Sequence, residues 1–110
     1  MPDIDPSSLA EVLDQMWTTY LSQTHERVAT LVSAAQAFAL GPLSVTEQEE
    51  AQSAAHKLSG VLGTFGLPQG TTLARELEQI YSRPVAPEAG FAAQLAAITE
   101  ELGTIINSRK

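Results

Sequence analysis

The sequence predicts an all-α fold, an antiparallel up-and-down four-helix bundle with an additional short N-terminal helix. Alanine is abundant among the 44% of hydrophobic residues, and β-branched residues are not gathered into strand-like runs. Chain breaks fall at Gly41-Pro42, at Gly66-Leu67-Pro68 and at residues 82–87. Between the breaks, apolar residues recur with spacings of three and four, which is typical of bundle packing. A chain of 110 residues is the size of one domain, so we expect residues 1–110 to form a single unit.

The segment before Gly41 is expected to hold the short helix and then a long one. Asp5 or Ser7 can cap a helix that begins near Leu9. Thr18, Thr19 and Ser22 weaken the middle of the segment, so we expect two helices rather than one. The apolar positions of this segment are Met16, Trp17, Leu21, Val28, Leu31, Val32, Ala35 and Phe38.

The next segments carry their own start and stop signals. Thr46 and Glu49 have the spacing of a capping box. In such a box the Thr46 side chain accepts from a backbone N–H of the first turn, and the Glu49 side chain accepts from the backbone N–H of Thr46. Gly66 is expected to end this helix, and Pro68 suits the first turn of the next one. The three seams are Ala51, Ala55, Leu58, Leu62 and Phe65; Leu73, Leu77 and Ile80; and Phe91, Leu95, Ile98, Leu102 and Ile105.

Composition excludes several classes of function. The chain has no cysteine, which rules out disulfides, thiolate zinc sites and cysteine nucleophiles and leaves the cytoplasm as the expected compartment. No stretch approaches the roughly 20 apolar residues needed to cross a bilayer, and the N-terminus lacks the features of a signal peptide. The net charge of −7 disfavours binding to nucleic acid or to an anionic membrane surface.

One helix face does not suit a plain bundle. At about 100° per residue, His56 lies on the side opposite the seam, near Gln52. Gly60 and Gly63 follow it one and two turns along the same side. A glycine inside a helix costs up to about 1 kcal/mol relative to alanine, and no core packing offsets that cost on this face. We infer that another protein's backbone approaches the imidazole closely here, whereas His25 lies in a polar run and is interpreted as a solvated side chain.

The residues around His56 resemble a known signature. The stretch Ala55-His56-Lys57-Leu58-Ser59-Gly60-Val61-Leu62-Gly63-Thr64-Phe65-Gly66 is similar to that of histidine-containing phosphotransfer (HPt) domains. That signature has alanine, histidine, any residue, leucine, lysine, glycine and then a small-rich run ending in glycine. Leu67, Leu73, Leu77 and Glu78 then fall where the family has apolar residues and a closing pair.

This resemblance implies a function. His56 would accept a phosphoryl group from the aspartyl phosphate of one response-regulator receiver domain and pass it to the aspartate of another. The implied partners are receiver domains and a hybrid histidine kinase. Mg²⁺ is expected on the receiver, so the chain would have no cofactor and no metal site of its own. It would be a monomeric phosphocarrier rather than an enzyme with turnover, because transfer depends mostly on positioning and charge neutralisation.

The surroundings of His56 depart from the family pattern at one position. Ser59 stands where the family commonly has a lysine whose ammonium neutralises the phosphoryl oxygens. Lys57 could partly replace that charge, although we interpret it as a surface lysine. Glu78 is expected either to orient the imidazole or to be a surface acid, and Gln52 is placed in the same environment.

The docking surface for a receiver is expected to be apolar and close to His56. Gly60 and Gly63 would form its flat floor. The first helix supplies the apolar candidates, of which we expect one or two to be exposed and the rest to cap the core. These candidates are Ile4, Leu9, Val12, Leu13 and Met16.

Three other interpretations stay open. The missing lysine allows a receiver-binding module that is not phosphorylated. A plain structural or adaptor bundle leaves the two glycines unexplained. A di-iron bundle is disfavoured because Ser53 and Ser22, rather than glutamates, precede His56 and His25 by three residues. The initial methionine and the polar ending favour a free-standing chain.

Overall fold

A computed structural model describes residues 6–83 and 90–109 of the chain. Within these ranges it contains four α-helices and no strand: α1 (Pro6–Leu40), α2 (Val45–Thr64), α3 (Pro68–Tyr81) and α4 (Phe91–Ser108). The predicted all-α class is confirmed.

The four helices form a ring around one core. Helix α2 packs between α1 and α3, and α4 packs against the other sides of α1 and α3. Contacts near the helix ends show that neighbours run antiparallel, since Trp17 meets Phe65 and Phe38 meets Phe91 in edge-to-face pairs. The core consists mainly of leucine, isoleucine and alanine from all four helices, with Trp17, Phe38, Phe65 and Tyr81.

Helix α1 is one continuous helix of 35 residues, so the expectation of a separate short N-terminal helix is wrong. The polar residues in its middle do not break it, because their hydroxyls donate to carbonyls one turn earlier. Thr18 donates to Asp14 at 3.0 Å and Thr24 to Tyr20 at 2.9 Å. Ser7 lies inside the helix and is not its cap, and Asp5 lies outside the described residues.

The N-cap of helix α2 lies two residues before the predicted cap. Ser44 is the N-cap: its Oγ accepts from the backbone N–H of Glu47 at 3.1 Å, and its own N–H donates to the Glu47 carboxylate at 2.9 Å. The expected box between Thr46 and Glu49 is therefore wrong. Ser44 has the extended backbone of an N-cap, with ψ 161°, which places Thr46 inside the first turn.

The end of α2 follows the prediction. Gly66 has a left-handed backbone, with φ +70°. The N–H of Leu67 donates to the carbonyl of Leu62 at 2.9 Å, and that of Gly66 to Gly63 at 3.3 Å. This is a Schellman motif, and Pro68 then occupies the first turn of α3 as expected.

The core seam of α3 differs from the prediction. Leu77 is buried, but Leu73 and Ile80 are only half-buried, and the fully buried positions besides Leu77 are small or aromatic. A Cβ on Gly70 would lie 3.0 Å from Leu62 Cδ1 and 3.3 Å from Ile105 Cγ2, so this glycine lets α3 approach α2 and α4 closely. The other buried residues of α3 are Ala74 and Tyr81.

The remaining seams are largely as expected. On α2 the four predicted positions are buried, as is the C-cap residue Phe65. On α4 the predicted positions Phe91 and Ile105 are only half-buried, and the buried row ends at Ile106. At that end Arg109 folds back over α1 and α2, because its guanidinium lies 5.0 Å from the Trp17 ring centroid and 5.3 Å from that of Phe65. It also contacts Asp14 at 3.2 Å. None of the described helices is long and apolar enough to cross a membrane.

Candidate functional site

His56 projects from the middle of α2 into solvent. Its side chain is 71% exposed, as the sequence predicted. Ala55 and Leu58 beside it are completely buried, so the backbone that carries the imidazole is fixed in the core. The site therefore combines a backbone that is held in place by the core with an imidazole that is accessible to solvent. In-line attack on an external group needs this arrangement.

Glu78 on α3 faces this imidazole. Its Oε2 lies 2.7 Å from His56 Nδ1, and its side chain is 28% exposed. An ionised carboxylate only accepts hydrogen bonds, so with Glu78 ionised Nδ1 is the nitrogen that carries the proton. Nε2 is then the ring nitrogen left with its lone pair. Buried Leu77, the residue before Glu78, holds this part of α3 against the core.

The other residues predicted around the imidazole have different surroundings. Ser59 Oγ donates to the backbone carbonyl of His56 at 2.7 Å, so its one proton is used inside the helix. Lys57 is exposed, but it is one residue from His56 and so about 100° away around the helix. Gln52 is half-buried one turn before His56.

The two glycines beyond His56 leave the face of α2 open. A Cβ on Gly60 would meet nothing within 4 Å, and a Cβ on Gly63 would lie 3.8 Å from Thr71 Oγ1, an ordinary contact. Among the described residues neither glycine is needed for packing, unlike Gly70. This agrees with the interpretation that they clear space for another molecule.

A groove of about 500 Å³ lies between α1 and α2 on the same side as Gly60. Its apolar part includes Met16 and Tyr20 on α1, which are 39% and 42% exposed. Arg27 and Lys57 also line it, and none of its described lining residues is acidic. Both cations also line an adjoining groove that includes Glu49 and Glu50. In a chain with a net charge of −7, these two cations lie in the groove beside Gly60.

The exposed apolar residues of α1 continue from this groove toward the N-terminus. Leu9 and Val12 are 51% and 50% exposed, and with Met16 they make three exposed candidates, more than the one or two expected. Leu13 is half-buried, and Ile4 lies outside the described residues. Sequence reasoning missed Tyr20, although it follows Met16 by four residues and so extends the same stripe.

Two further predictions concern histidine and metal. His25 is exposed on α1, as expected for a solvated side chain. In the part of the chain that the structure describes, no group of three or more His, Cys, Asp or Glu side chains could hold a metal ion.

Comparison with known proteins identifies the family of the chain. The family model of the Hpt domain matches residues 15–107 of the chain. Protein RcaC of Microchaete diplosiphon is 35% identical over 66 residues, which are 60% of this chain and 10% of the length of that relative. No solved structure matches the chain. Since the family match includes His56 and parts of all four helices, the chain belongs to the Hpt domain family.

Proposed function

We propose that this chain is a phosphocarrier of a two-component phosphorelay, in which His56 accepts a phosphoryl group from one receiver-domain aspartate and passes it to another. Hpt domains are phosphocarriers rather than enzymes. The observation that carries the proposal is the exposed imidazole whose Nδ1 lies 2.7 Å from Glu78 Oε2.

The chemistry at His56 balances without any further reactant. The Nε2 lone pair attacks the phosphorus of the aspartyl phosphate, and the N–P bond forms as the P–O bond to the aspartyl oxygen breaks. The electron pair of that bond returns to the aspartate, which leaves as a carboxylate. The ring keeps its Nδ1 proton, and transfer to the next receiver is the same exchange in reverse.

Glu78 supports this exchange in two ways. By accepting from Nδ1–H it fixes the tautomer and directs Nε2 outward. Once Nε2 is phosphorylated the ring is formally cationic, and the carboxylate 2.7 Å from Nδ1 offsets that charge. The phosphorylated nitrogen is therefore Nε2.

The receiver docks on the groove between α1 and α2 and on the exposed stripe of α1. Leu9, Val12 and Met16 supply apolar contact, and Gly60 lets the receiver's backbone come close. Arg27 and Lys57 add positive charge to the groove, which suits a partner with acidic side chains at the edge of its phosphorylation site. A hybrid histidine kinase with such a receiver is the proposed upstream partner, and the carrier acts as a monomer.

Charge neutralisation is divided between the two proteins. In this proposal the receiver holds the Mg²⁺, which would supply positive charge to the phosphoryl oxygens there. This chain contributes the nucleophile, the carboxylate that orients it and the docking surface.

The test is phosphotransfer from a receiver domain charged with radiolabelled acetyl phosphate. We expect acid-labile label on the wild-type chain and none on His56→Gln. His25→Gln is the matched control, because His25 is equally a histidine on a helix surface but lies away from the glycines. A receiver that binds wild type without labelling it would contradict the carrier function and indicate a binding module.

A further inference from the structure

We propose that Arg75 on α3 neutralises the phosphoryl group carried by His56, replacing a charge that Ser59 on α2 does not provide. The inference rests on the proposed function, since it concerns the phosphorylated state of the same histidine. It assigns a role to a residue that the sequence alone did not single out.

The pairing of α2 with α3 places Arg75 level with Ser59. His56 meets Glu78 at 2.7 Å, and a Cβ on Gly63 would lie 3.8 Å from Thr71 Oγ1. Seven residues separate His56 from Gly63, and seven separate Thr71 from Glu78, so the two helices keep one register over two turns. Three residues after His56 comes Ser59, and three residues before Glu78 comes Arg75. Both therefore lie about 4.5 Å along the helix axes from the level of the imidazole.

Arg75 also lies on the appropriate side of α3. Residues three apart share a helix face, so Arg75 is a neighbour of Glu78. Ala74 and Leu77 point into the core, Glu78 is half-buried and Arg75 is exposed. This increase in exposure around α3 places Arg75 at the solvent edge of the α2–α3 interface. From there its long side chain can reach over Ser59 toward the exposed imidazole.

The phosphorylated site needs such a cation. A phosphoryl group adds up to about two negative charges. They would stand near the Glu78 carboxylate in a chain whose net charge is already −7. The Ser59 hydroxyl is uncharged and donates to the backbone of His56. A guanidinium, in contrast, can donate to two phosphoryl oxygens at once.

The other nearby cation is less suited to this role. Lys57 lies on the side of His56 that faces α1, where it lines the docking groove with Arg27. Arg75 has no ion pair or hydrogen bond with any residue in 6–83 or 90–109, so its guanidinium is available there. The two cations therefore have different roles: Lys57 contacts the partner, and Arg75 neutralises the phosphoryl group.

The test labels His56 directly with phosphoramidate, a small phosphoryl donor that needs no docking surface. We expect Arg75→Gln to slow labelling or shorten the lifetime of the phosphohistidine by about three- to tenfold, as for a partly exposed charge-assisted contact. Arg75→Lys should restore most of the loss, and the difference from wild type should shrink as salt is raised. Arg83→Gln is the matched control, an exposed arginine just after α3.

Two results would overturn the inference. One is an Arg75→Gln chain that is labelled and loses phosphate at the rates of Arg83→Gln. The other is a larger effect from Lys57→Gln than from Arg75→Gln, which would assign the charge to Lys57. Failure of the proposed function looks different, because wild type would then take label from phosphoramidate and none from any charged receiver.

Discussion

The Nδ1 atom of His56 on α2 lies 2.7 Å from Oε2 of Glu78 on α3, so the imidazole is oriented by a different helix from the one that carries it. Packing of α2 against α3 thus controls the direction of the imidazole. Gly70 is part of that control, because its missing side chain lets α3 approach Leu62 of α2. The core and the proposed phosphorylation site are coupled through the α2–α3 interface.

The first prediction concerns Glu78. Glu78→Ala removes both the acceptor and the negative charge, and we expect it to slow phosphotransfer about tenfold, the equivalent of one hydrogen bond to a charged group. Glu78→Gln keeps an acceptor without the charge, so its loss should be smaller. Phosphotransfer from a phosphorylated receiver, quenched at successive times, measures the rates. Glu76→Gln, exposed on the same helix, is the control, and equal rates for Glu78→Ala and this control would contradict the orienting role.

The second prediction adds the missing charge on α2. Ser59→Lys should speed loading of His56 or slow its loss of phosphate by several-fold, because an ammonium then lies one turn from the imidazole. The effect should be larger in an Arg75→Gln background, where no guanidinium competes. Release of phosphate at neutral pH measures it. Unchanged rates in both backgrounds would show that charge at this level does not govern the phosphohistidine.

The third prediction separates two kinds of glycine. Gly60→Ala should raise the free energy of unfolding by about 0.5–1 kcal/mol, because alanine favours the helix and its Cβ meets nothing within 4 Å. Gly70→Ala should lower it, since the Cβ would lie 3.0 Å from Leu62 Cδ1. Urea unfolding measures both.

Receiver binding tests whether Gly60 allows the partner to approach α2 closely. Gly60→Leu fills the open face beside His56 and should weaken receiver binding without lowering stability. Its rate of labelling by phosphoramidate should stay near that of wild type, because a small donor needs no flat surface. Undiminished receiver affinity would show that the glycine does not serve close approach.

How far the sequence predicted this site depends on which contacts are local. The exposure of His56 and the C-terminal role of Gly66 follow from spacing along one helix, and both agree with the structure. The N-cap is Ser44 rather than the predicted Thr46. Ser44 with Glu47 and Thr46 with Glu49 both have the spacing of a capping box, and only the path of the preceding loop selects one of them. Helix propensity alone did not predict that α1 is continuous. Packing along the length of the helix contributes more to helix stability than propensity does.

Contacts between helices were the least predictable. The level shared by Ser59 and Arg75 depends on the register of α2 against α3, which spacing within one helix does not contain. The buried row of α3 was also misplaced, because glycine, alanine and tyrosine are weak markers of a seam. Gly70 shows why: its value to the core is the absence of a side chain.

The fourth prediction tests the charged groove. Arg27→Glu should reduce the association rate with a receiver by about tenfold at low salt, with less effect at high salt, because it reverses one of the two positive charges in the groove. Surface plasmon resonance over a range of ionic strength measures the rate. Arg83→Glu changes the net charge equally outside the groove. If the two variants associate equally slowly, net charge rather than the groove is responsible.

The fifth prediction concerns Tyr81, whose side chain is completely buried and whose hydroxyl has no hydrogen-bond partner among the described residues. Burial raises the pKa of Tyr81 from 10.0 to about 12, since the phenolate would lose its hydration. The folded state therefore binds this proton more tightly than the unfolded state does. Its contribution to stability is complete below pH 10 and is lost as the pH rises from 10 to about 12.

Tyr81→Phe isolates this effect. Below pH 10 we expect the variant to be as stable as wild type or up to about 1 kcal/mol more stable, because it removes a buried hydroxyl that has no partner among the described residues. Between pH 10 and 12 the advantage should grow, since phenylalanine cannot ionise in the unfolded state. Thermal unfolding of both chains at several pH values measures the difference. A gap that stays constant across this range would show that the Tyr81 phenol ionises equally easily in the folded and unfolded states.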